Sequence, residues 1–527
     1  MRRTASTGVL AALALASSLA AQGAGLNPRF PTDDAVLRSI WVEGMERSQA
    51  MTLMQVLSDS IGPRLVGTPN SLAGQEWIKG IYARWGMTAR SERYGTWAGW
   101  RRGPTQLELV APRVRSLEAT MLGWSPGTKG KPVQGGTVIL ADPRDSVAFA
   151  GWLRQVKGKY VLASPPQPVC RPDSSYLRWA GADAFEALNR ERAAIRTAWQ
   201  GRSATSGTVG RVLAKRLEDA GALGVISSEW TGGWGVTRIF QARTRLVPTV
   251  GVSCEDYGLL YRLTERNQGP LVRLSAESEA LGEVPVFNVI GEIRGSAKPN
   301  EYVLLSAHFD SWDGGSGSTD NGTGTITMLE AMRILKATYP TPKRTILVGH
   351  WNSEELGLIG SRAFAEDHPE VVQGLQAQFN QDNGTGRIMN VGAAGLIDAG
   401  AHIASWFSRL PVELTQGVQF SFPGQPAGGG SDNASFACSG APGFGLGSEG
   451  ADYGTYTWHT GRDTYDKVIE PNLKRNATLT AMLAYLASED PESVPRERRL
   501  PGMTATGQPG SWPTCGKAQR SSQEPGR

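Results

Sequence analysis

The second half of the chain alternates apolar, strand-like runs with helix-like segments, and this alternation constrains the fold more than any other feature. From about Val284, the runs VFNVIGEI, YVLLSAHFD, TILVGHW and LQAQFNQD are separated by stretches with helical spacing, such as TGTITMLEAMRILKATY. Strands that alternate with helices of this length imply right-handed crossovers and a largely parallel sheet. The sequence therefore predicts an α/β fold with a mostly parallel central sheet flanked by helices. Ligands of such sheets bind outside the carboxyl ends of the strands.

The chain has 527 residues, which is too long for one hydrophobic core, so we expect at least two domains. Between the early helix-like segment SLAGQEWIKGIYARWGM and the alternating block lie scattered short strands and a Pro-rich patch, ASPPQPVCRP. The predicted division is a signal peptide (1–21), a first part of the catalytic domain (22–110), an inserted β-rich domain (111–283), the main catalytic domain (284–490) and a low-complexity C-terminal tail (491–527).

The N-terminus has the composition of a secretory signal. Arg2 and Arg3 are basic, Gly8 to Leu19 form an apolar stretch, and small residues surround Ala20 and Ala21. The apolar stretch is shorter than the roughly 20 residues needed to span a bilayer, and no later run is long enough. The sequence predicts an exported protein, periplasmic or extracellular, without a membrane span.

The net charge and the cysteine content limit the kinds of partner and of metal site that the chain can have. The formal charge of +5 is a small excess for this length, and no basic stripe with interleaved aromatic residues is present, so nucleic acid is not an expected partner. The four cysteines, Cys170, Cys254, Cys438 and Cys515, contain no CxxC spacing. In an oxidising compartment they can form two disulfides in three alternative pairings, and buried free thiols are the other reading.

Polar residues suited to metal binding follow the ends of the predicted strands. They are His308, Asp310, Asp320, Glu354, Glu355, Asp382 and, from a later loop, His459. Two imidazoles with several carboxylates favour a cation with mixed nitrogen and oxygen ligands, zinc first. Two tetrahedral sites need a shared ligand here, and Asp320 in the central loop is the natural bridge. Asp310 is expected to accept the second ring proton of His308.

Competing catalytic motifs fail. No HExxH is present, and GGSGSTDNGTG lacks the GK[ST] ending of a phosphate loop. The stretch GGSGS in the same Gly-rich loop does not fit the serine elbow GxSxG, because Ser318 stands at its last position. The adjacent glutamates Glu354 and Glu355 instead suit metal-assisted hydrolysis, since one carboxylate can bind a metal and the other can act as a base.

The ordered motifs SAHFDSW, GSTDNGTG, WNSEELGLIGS, QDNGTG and WHTGRDT resemble those of the co-catalytic zinc exopeptidases, a family that includes bacterial leucyl aminopeptidases and glutamate carboxypeptidases. SIGPRLVGTP near residue 60 is similar to the opening segment of that family. The run GKYVLASP, AGALGVISS, VPTVGVSCED is similar to the protease-associated domain that is often inserted in it. The resemblance covers about residues 45–490 and is greatest to the branch that contains carboxypeptidase Q.

The resemblance implies two zinc ions and a role for each site residue. One zinc would be held by His308 and Asp382 and the other by Glu355 and His459, with Asp320 bridging. Glu354 would be the general base that takes a proton from a zinc-activated bridging water and returns it to the leaving amine. The resemblance also implies a non-proline cis peptide after Asp320.

Two departures from the family pattern affect the substrate side of the site. In GGGSDNASF, Asn433 stands where the family commonly has a histidine. Some family members have a tyrosine immediately before the last histidine ligand to stabilise the oxyanion, whereas this chain has Trp458 there. Tyr456 and Tyr453 are the remaining candidates for that role.

The sequence thus predicts a metallo-exopeptidase that hydrolyses terminal peptide bonds of short peptides or dipeptides. A non-catalytic receptor or scaffold of the same fold and a single-zinc acyltransferase of the glutaminyl cyclase type are the alternatives. Cleavage from the amino or the carboxyl end stays open, because Arg387 and Arg462 lie near motif residues without an assigned role. A homodimer is left open as the oligomeric state.

Overall fold

The computed structural model describes residues 33–141, 145–205, 211–500, 502 and 510–523. The predicted signal peptide, residues 1–21, lies outside the described residues. No helix within the described ranges combines the length and the apolar composition needed to cross a membrane.

The described residues contain both long and very short elements. The helices are α1 (Ala35–Trp41), α2 (Ala50–Gln55), α3 (Pro69–Arg84), α4 (Ser146–Leu153), α5 (Asp173–Ala180), α6 (Ala182–Thr205), α7 (Arg211–Asp219), α8 (Cys254–Glu265), α9 (Thr323–Thr338), α10 (Ile359–Asp367), α11 (Pro369–Gln373), α12 (Ala399–Ser408), α13 (Val412–Thr415), α14 (Ala434–Ala437) and α15 (Glu470–Glu489). The strands are β1 (Thr88–Ala111), β2 (Arg115–Leu117), β3 (Ala119–Met121), β4 (Val133–Ile139), β5 (Lys159–Leu162), β6 (Gly224–Ser227), β7 (Thr249–Val252), β8 (Leu271–Ile293), β9 (Lys298–His308), β10 (Arg344–Trp351), β11 (Leu375–Asn380), β12 (Ile388–Gly392), β13 (Gln419–Ser421) and β14 (Gly443–Ser448).

The strands join in a single mixed sheet. Their order is β13-β12-β14-β11-β9-β10-β8-β4-β5-β6-β7-β3, with β1 paired to both β8 and β2. At its centre β14, β11, β9 and β10 are parallel neighbours. The predicted α/β fold with a mostly parallel central sheet is therefore confirmed, with antiparallel strands at its flanks.

Two long strands connect the parts of this sheet. β1 and β8 pair antiparallel along almost their whole length, with several register shifts. The end of β8 pairs with β10, while its start pairs with β4. Beyond β4 the sheet continues through the parallel strands β5, β6 and β7. The segment predicted as an insertion is thus joined to the rest of the molecule through backbone hydrogen bonds.

The prediction that residues 111–283 are β-rich needs correction, because helices occupy more of this segment than strands do. Most of the difference comes from α5 and α6, which follow the Pro-rich patch. Their sequences are rich in Ala, Leu, Glu and Arg, which are strong helix formers. The domain boundaries themselves stay a prediction.

Both faces of the central strands are covered. In β9, Val303, Leu305 and Ala307 belong to the main core cluster, which includes α9 and α15, whereas Leu304 belongs to a second cluster around Trp351. Alternate side chains of a strand point to opposite faces, so apolar packing on both sides explains why the parallel strands read as continuous apolar runs. This burial leaves the carboxyl ends of the strands as the accessible edge.

Two disulfides and the C-terminal tail complete the fold. Cys170 pairs with Cys254, and Cys438 pairs with Cys515, which selects one of the three pairings left open by the sequence. The described end of the predicted low-complexity tail, residues 510–523, lies against the body of the molecule. The Thr96 N–H donates to the carbonyl of Arg520 at 2.9 Å.

Candidate metal centre

The predicted site residues come together at the carboxyl edge of the parallel strands. His308 ends β9, the adjacent glutamates follow β10, and Asp382 follows β11. Asp320 lies in a single turn of helix, Ser318–Gly322, that precedes α9. His459 comes from the loop after Tyr453–Thr457. Because these strands are parallel neighbours, their ends meet at one place even though the residues are far apart in sequence.

His308 is the centre of the first group of ligand atoms. Its Nε2 atom lies 3.1 Å from Asp382 Oδ1, 3.5 Å from Asp320 Oδ1 and 3.9 Å from Glu354 Oε2. Ligand atoms of His308, Glu354 and Asp382 all lie within 4.8 Å of one another. The structure thus brings Glu354 into the same group as two predicted ligands.

His459 is the centre of the second group. Its Nε2 atom lies 2.9 Å from Glu355 Oε2 and 3.2 Å from Asp320 Oδ2. Ligand atoms of Asp320, Glu355 and His459 also lie within 4.8 Å of one another. The two oxygens of Asp320 therefore face different histidines, which is the geometry that a bridging carboxylate requires.

The carboxylate of Asp310 was expected to accept the ring proton of His308, but it binds other groups. The acceptor closest to His308 Nδ1 is the backbone carbonyl of Asp310, at 3.0 Å, while the Asp310 carboxylate lies 3.7 Å away. The carboxylate instead accepts hydrogen bonds from the backbone N–H groups of Glu354, at 3.0 Å, and Glu355, at 3.3 Å. Asp310 is a buried side chain that holds the turn carrying both glutamates, because that turn follows the neighbouring strand.

Two buried residues that the sequence analysis did not single out hold the Asp320 loop. The Asp463 carboxylate accepts from the backbone N–H groups of Thr319, at 2.7 Å, and Asp320, at 2.9 Å. The Arg64 guanidinium donates to backbone carbonyls of the segment that leads into this loop, namely those of Phe309, Ser316 and Gly317. Arg64 lies in SIGPRLVGTP and Asp463 in WHTGRDT, so membership of these motifs was the available signal. The peptide bond between Asp320 and Asn321 is cis, as the resemblance implied.

Only one of the two candidate tyrosines lies at the centre of the site. Tyr453 interacts with Asp320, and burial together with Asp320 and Asp382 raises the pKa of its hydroxyl well above the usual range. The ring of Tyr456 instead packs against Gly233 of the segment predicted as an insertion. A single turn of helix separates the two side chains, which is why spacing in the sequence did not distinguish them.

Carboxyl groups dominate the electrostatics of the site. Burial raises the pKa of the Glu354 carboxyl well above its usual range, and it raises the pKa of Glu355 to about 7. Burial lowers the pKa of His459, but the nearby carboxylates of Asp320 and Glu355 outweigh this effect and bring it to about 9. Asp432, from GGGSDNASF, is a further fully buried carboxyl group, and burial raises its pKa to about 7.

The donor set fits bound divalent cations. Among the described residues, Asp320 Oδ2, Glu355 Oε1 and His459 Nδ1 are buried without a hydrogen-bond partner. Buried polar atoms are normally paired, and unpaired oxygens that face an imidazole suit a cation with mixed nitrogen and oxygen ligands. Buried carboxylates outnumber buried cationic side chains at this site, and a bound cation would compensate their negative charge.

Comparison with known proteins agrees with this geometry. Residues 288–484 match the family model described as peptidase family M28. These residues are called the M28 segment below. The M28 segment contains both histidines and all five carboxylates of the predicted site, whereas Arg64 lies outside it.

Known proteins also match beyond the M28 segment. Carboxypeptidase Q of Bos taurus is 25% identical over 461 residues, which cover 87% of this chain and 89% of that protein. Among solved structures, a peptidase M28 precursor from Shewanella amazonensis has a TM-score of 0.64 at 24% identity and covers 89% of this chain and 98% of its own. A zinc aminopeptidase from Bacillus subtilis has a TM-score of 0.54 at 19% identity, covering 85% and 97%.

These similarities confirm the resemblance stated from the motifs, and the structural matches confirm the fold. They also confirm the prediction that the chain is a metallo-exopeptidase. The relatives include both a carboxypeptidase and an aminopeptidase, so they do not decide which end of a peptide is cut.

Proposed function

We propose that the protein is an exported, zinc-dependent exopeptidase that hydrolyses terminal peptide bonds of short peptides or dipeptides. The observation that carries this proposal is the position of Asp320, whose two carboxylate oxygens face one histidine each. A carboxylate in this position can hold two cations close together, which is the arrangement of co-catalytic metal hydrolases.

Each proposed ligand has a partner at short distance. His308 and Asp382 would hold one zinc, Glu355 and His459 the other, and Asp320 both. When bound, the two ions would polarise the scissile carbonyl and lower the pKa of the attacking water.

Glu354 is the proposed general base. It would accept the proton of the attacking water and return it to the leaving amine. Its carboxyl group is buried and has a raised pKa, and its backbone is held by Asp310. Both features suit a proton acceptor in fixed position. Tyr453, next to Asp320, is the better placed of the two tyrosines to donate a hydrogen bond to the oxyanion.

The proposed location outside the cytoplasm is supported by the two disulfides, since such bonds persist mainly in oxidising compartments. The predicted signal at residues 1–21 gives the same location. The receptor and the glutaminyl cyclase alternatives have no observation in their favour, because both ligand groups of a two-metal peptidase are present.

The proposal is tested with two neighbouring substitutions. Glu354→Gln should leave zinc content unchanged in the purified protein and lower kcat by at least about a hundredfold, since general base catalysis contributes factors of this size. Glu355→Gln should lower zinc affinity first. Glu76→Gln, on the exposed side of α3, is the matched control and should change neither quantity.

The assay uses unblocked, N-acetylated and C-amidated dipeptides with added zinc, with and without a chelator. Zinc content by elemental analysis should approach two ions per chain. Hydrolysis of none of the peptides, or activity that survives removal of the metal, would refute the proposed function. Full activity of Glu354→Gln would refute the assignment of the base alone.

A further inference from the structure

A glycine-rich loop forms part of the wall of a cavity beside the metal centre. The cavity has a volume of about 430 Å³, and Asp382, a proposed zinc ligand, lies in its lining. Gly429, Gly430 and Ser431 line it as well. We call residues 424–433 the glycine loop. Because this loop borders the space next to a metal ligand, its position determines the shape of the space that a bound peptide can occupy.

The glycine loop has few contacts of its own that fix its position. Among the described residues, no hydrogen bond holds the backbone between 424 and 430. Gly429 and Gly430 have φ angles of +150° and +90°, and no described heavy atom lies within 4 Å of the places where their Cβ atoms would stand. Glycine loses more conformational freedom on folding than any other residue, so a segment of this kind keeps one shape only if its neighbours support it.

The C-terminal tail contacts the glycine loop from outside the cavity. Pro513 Cγ lies 3.7 Å from the place where a Cβ of Gly428 would stand. The ring of Trp512 and the ring of Pro426 both lie against Gly395, each 3.1 Å from its Cβ position. None of the described tail residues lines the cavity beside the metal centre. The tail therefore supports the loop on the side that does not face a bound peptide.

The tail is also joined to the helix that follows the glycine loop. Cys515 forms a disulfide with Cys438, the residue that follows α14. The indole N–H of Trp512 donates to the carbonyl of Cys438 at 2.9 Å and to that of Ala437 at 3.2 Å. Because α14 begins at Ala434, directly after the loop, these contacts also fix the end of the glycine loop.

A second anchor of the tail does not involve the glycine loop. The guanidinium group of Arg520 lies 3.0 Å from the carboxylate of Glu366 and 2.8 Å from that of Asp367, at the end of α10. The backbone N–H of Ala518 donates to Glu366 at 2.9 Å. The tail is thus held in place independently of the loop, which is what a support for the loop requires.

We propose that the C-terminal tail positions the glycine loop for peptide binding, with Trp512 and the Cys438–Cys515 disulfide as the positioning elements. The tail lies outside the M28 segment, residues 288–484, so the cavity of that segment would owe part of its shape to a later part of the chain. This inference rests on the proposed function and adds a determinant of peptide affinity to it.

The expected effect is on binding rather than on the chemical step. If the loop occupies its binding-competent position only part of the time, the apparent affinity falls by that fraction, while the protein that has bound a peptide reacts as before. Release of the tail should therefore raise KM and leave kcat nearly unchanged. Zinc content should also stay unchanged, because no proposed zinc ligand lies in the glycine loop or in the tail.

The test begins with Trp512→Ala in the full chain loaded with zinc. This substitution removes the ring beside Pro426 and the N–H that binds the end of α14, and KM for a dipeptide should rise about three- to tenfold with kcat within about twofold of the wild type. Trp512→Phe keeps an aromatic ring and should recover part of the loss. Replacing Cys438 and Cys515 together by Ser should raise KM in the same direction.

Trp85→Ala is the matched control. Trp85 is also half-buried and packs against the same main core cluster, but from the end of α3. Its substitution should lower the thermal unfolding temperature and leave KM at the wild-type value. If Trp85→Ala changed KM and kcat as Trp512→Ala does, the effect would be a general loss of stability and the inference would be wrong.

A second readout does not depend on turnover. A protease of broad specificity, used well below the unfolding temperature with cut sites identified by mass spectrometry, should cleave between 424 and 430 at least about fivefold faster in Trp512→Ala than in the wild type or Trp85→Ala, since unsupported loops are preferred sites of cleavage. Unchanged cleavage together with an unchanged KM would overturn the inference and leave the proposed function standing. If the wild-type protein hydrolysed no peptide, the proposed function would fail, and faster cleavage of the loop in Trp512→Ala would still support the role of the tail.

Discussion

Arg64 should be required for zinc binding although it touches no proposed ligand. Its side chain is fully buried, and its guanidinium donates to the carbonyls of Phe309, Ser316 and Gly317 at 2.7–2.8 Å and to that of Gly62 at 3.1 Å. Burial lowers its pKa to about 10, so it stays charged at neutral pH. The segment that these bonds hold leads directly to Asp320.

Arg64→Met keeps most of the volume and removes every one of these donors. Breaking a buried charged network of this kind costs about 3–5 kcal/mol of unfolding free energy. Loss of a partner that orients a metal ligand typically weakens metal binding by about ten- to a hundredfold. We therefore expect both effects in Arg64→Met, and a partial recovery in Arg64→Lys, which keeps the charge but not the planar donor set.

Arg344 provides the matched control. It is also fully buried and donates to the carbonyls of Ala487 and Ser488, but it lies at the opposite end of β10 from the metal centre. Urea unfolding of the metal-free proteins and zinc titration with a competing chelator measure the two quantities. Arg344→Met should lose stability and keep its zinc affinity. Wild-type zinc affinity in folded Arg64→Met would refute the reasoning.

Three further substitutions probe the site and the fold. Asp463→Asn leaves one of two backbone N–H groups without an acceptor, so zinc affinity should fall about tenfold, and zinc titration that matches the wild type would contradict this role. Burial lowers the pKa of His350 to about 3. Below about pH 6.5 the unfolded chain therefore binds a proton at this residue that the folded chain does not bind, so the free energy of unfolding falls as the pH falls. The free energy of unfolding, measured with urea, should be about 2 kcal/mol lower at pH 5 than at pH 7 because of this residue. His350→Gln should remove this contribution. Replacing Cys438 and Cys515 together by Ser should lower the unfolding free energy by about 2–4 kcal/mol, and an unchanged urea midpoint would show that the tail is held by its other contacts.

The sequence predicted a candidate site mainly from residues that end or follow strands with a clear apolar pattern. His308, Glu354 and Asp382 occupy the ends of neighbouring parallel strands, and strand pattern is a local property that sequence reveals. The sequence did not reveal the contacts of Asp310, whose carboxylate binds the turn after the neighbouring strand. Which of two nearby donors a carboxylate binds depends on packing that no local pattern encodes.

Residues distant in sequence were the hardest to assign. Arg64 contacts the segment before Asp320, which is more than 240 residues away in the sequence. The long helix α6 lies in a segment that was predicted to be β-rich. The disulfide partners also required the fold, because four separated cysteines allow three pairings and only proximity distinguishes them.

The class of sheet, the order of the proposed ligands along the chain and the pair of adjacent glutamates could be read from the sequence alone, because they depend on apolar periodicity and on residue type. The fold was needed to show that the oxygens of Asp320 face two histidines and that the carboxylate of Asp310 binds the turn after β10. Both features arise where separate parts of the chain meet. Their physical cause is the packing of parallel strands beside a long antiparallel pair, which brings together charges that are far apart along the chain.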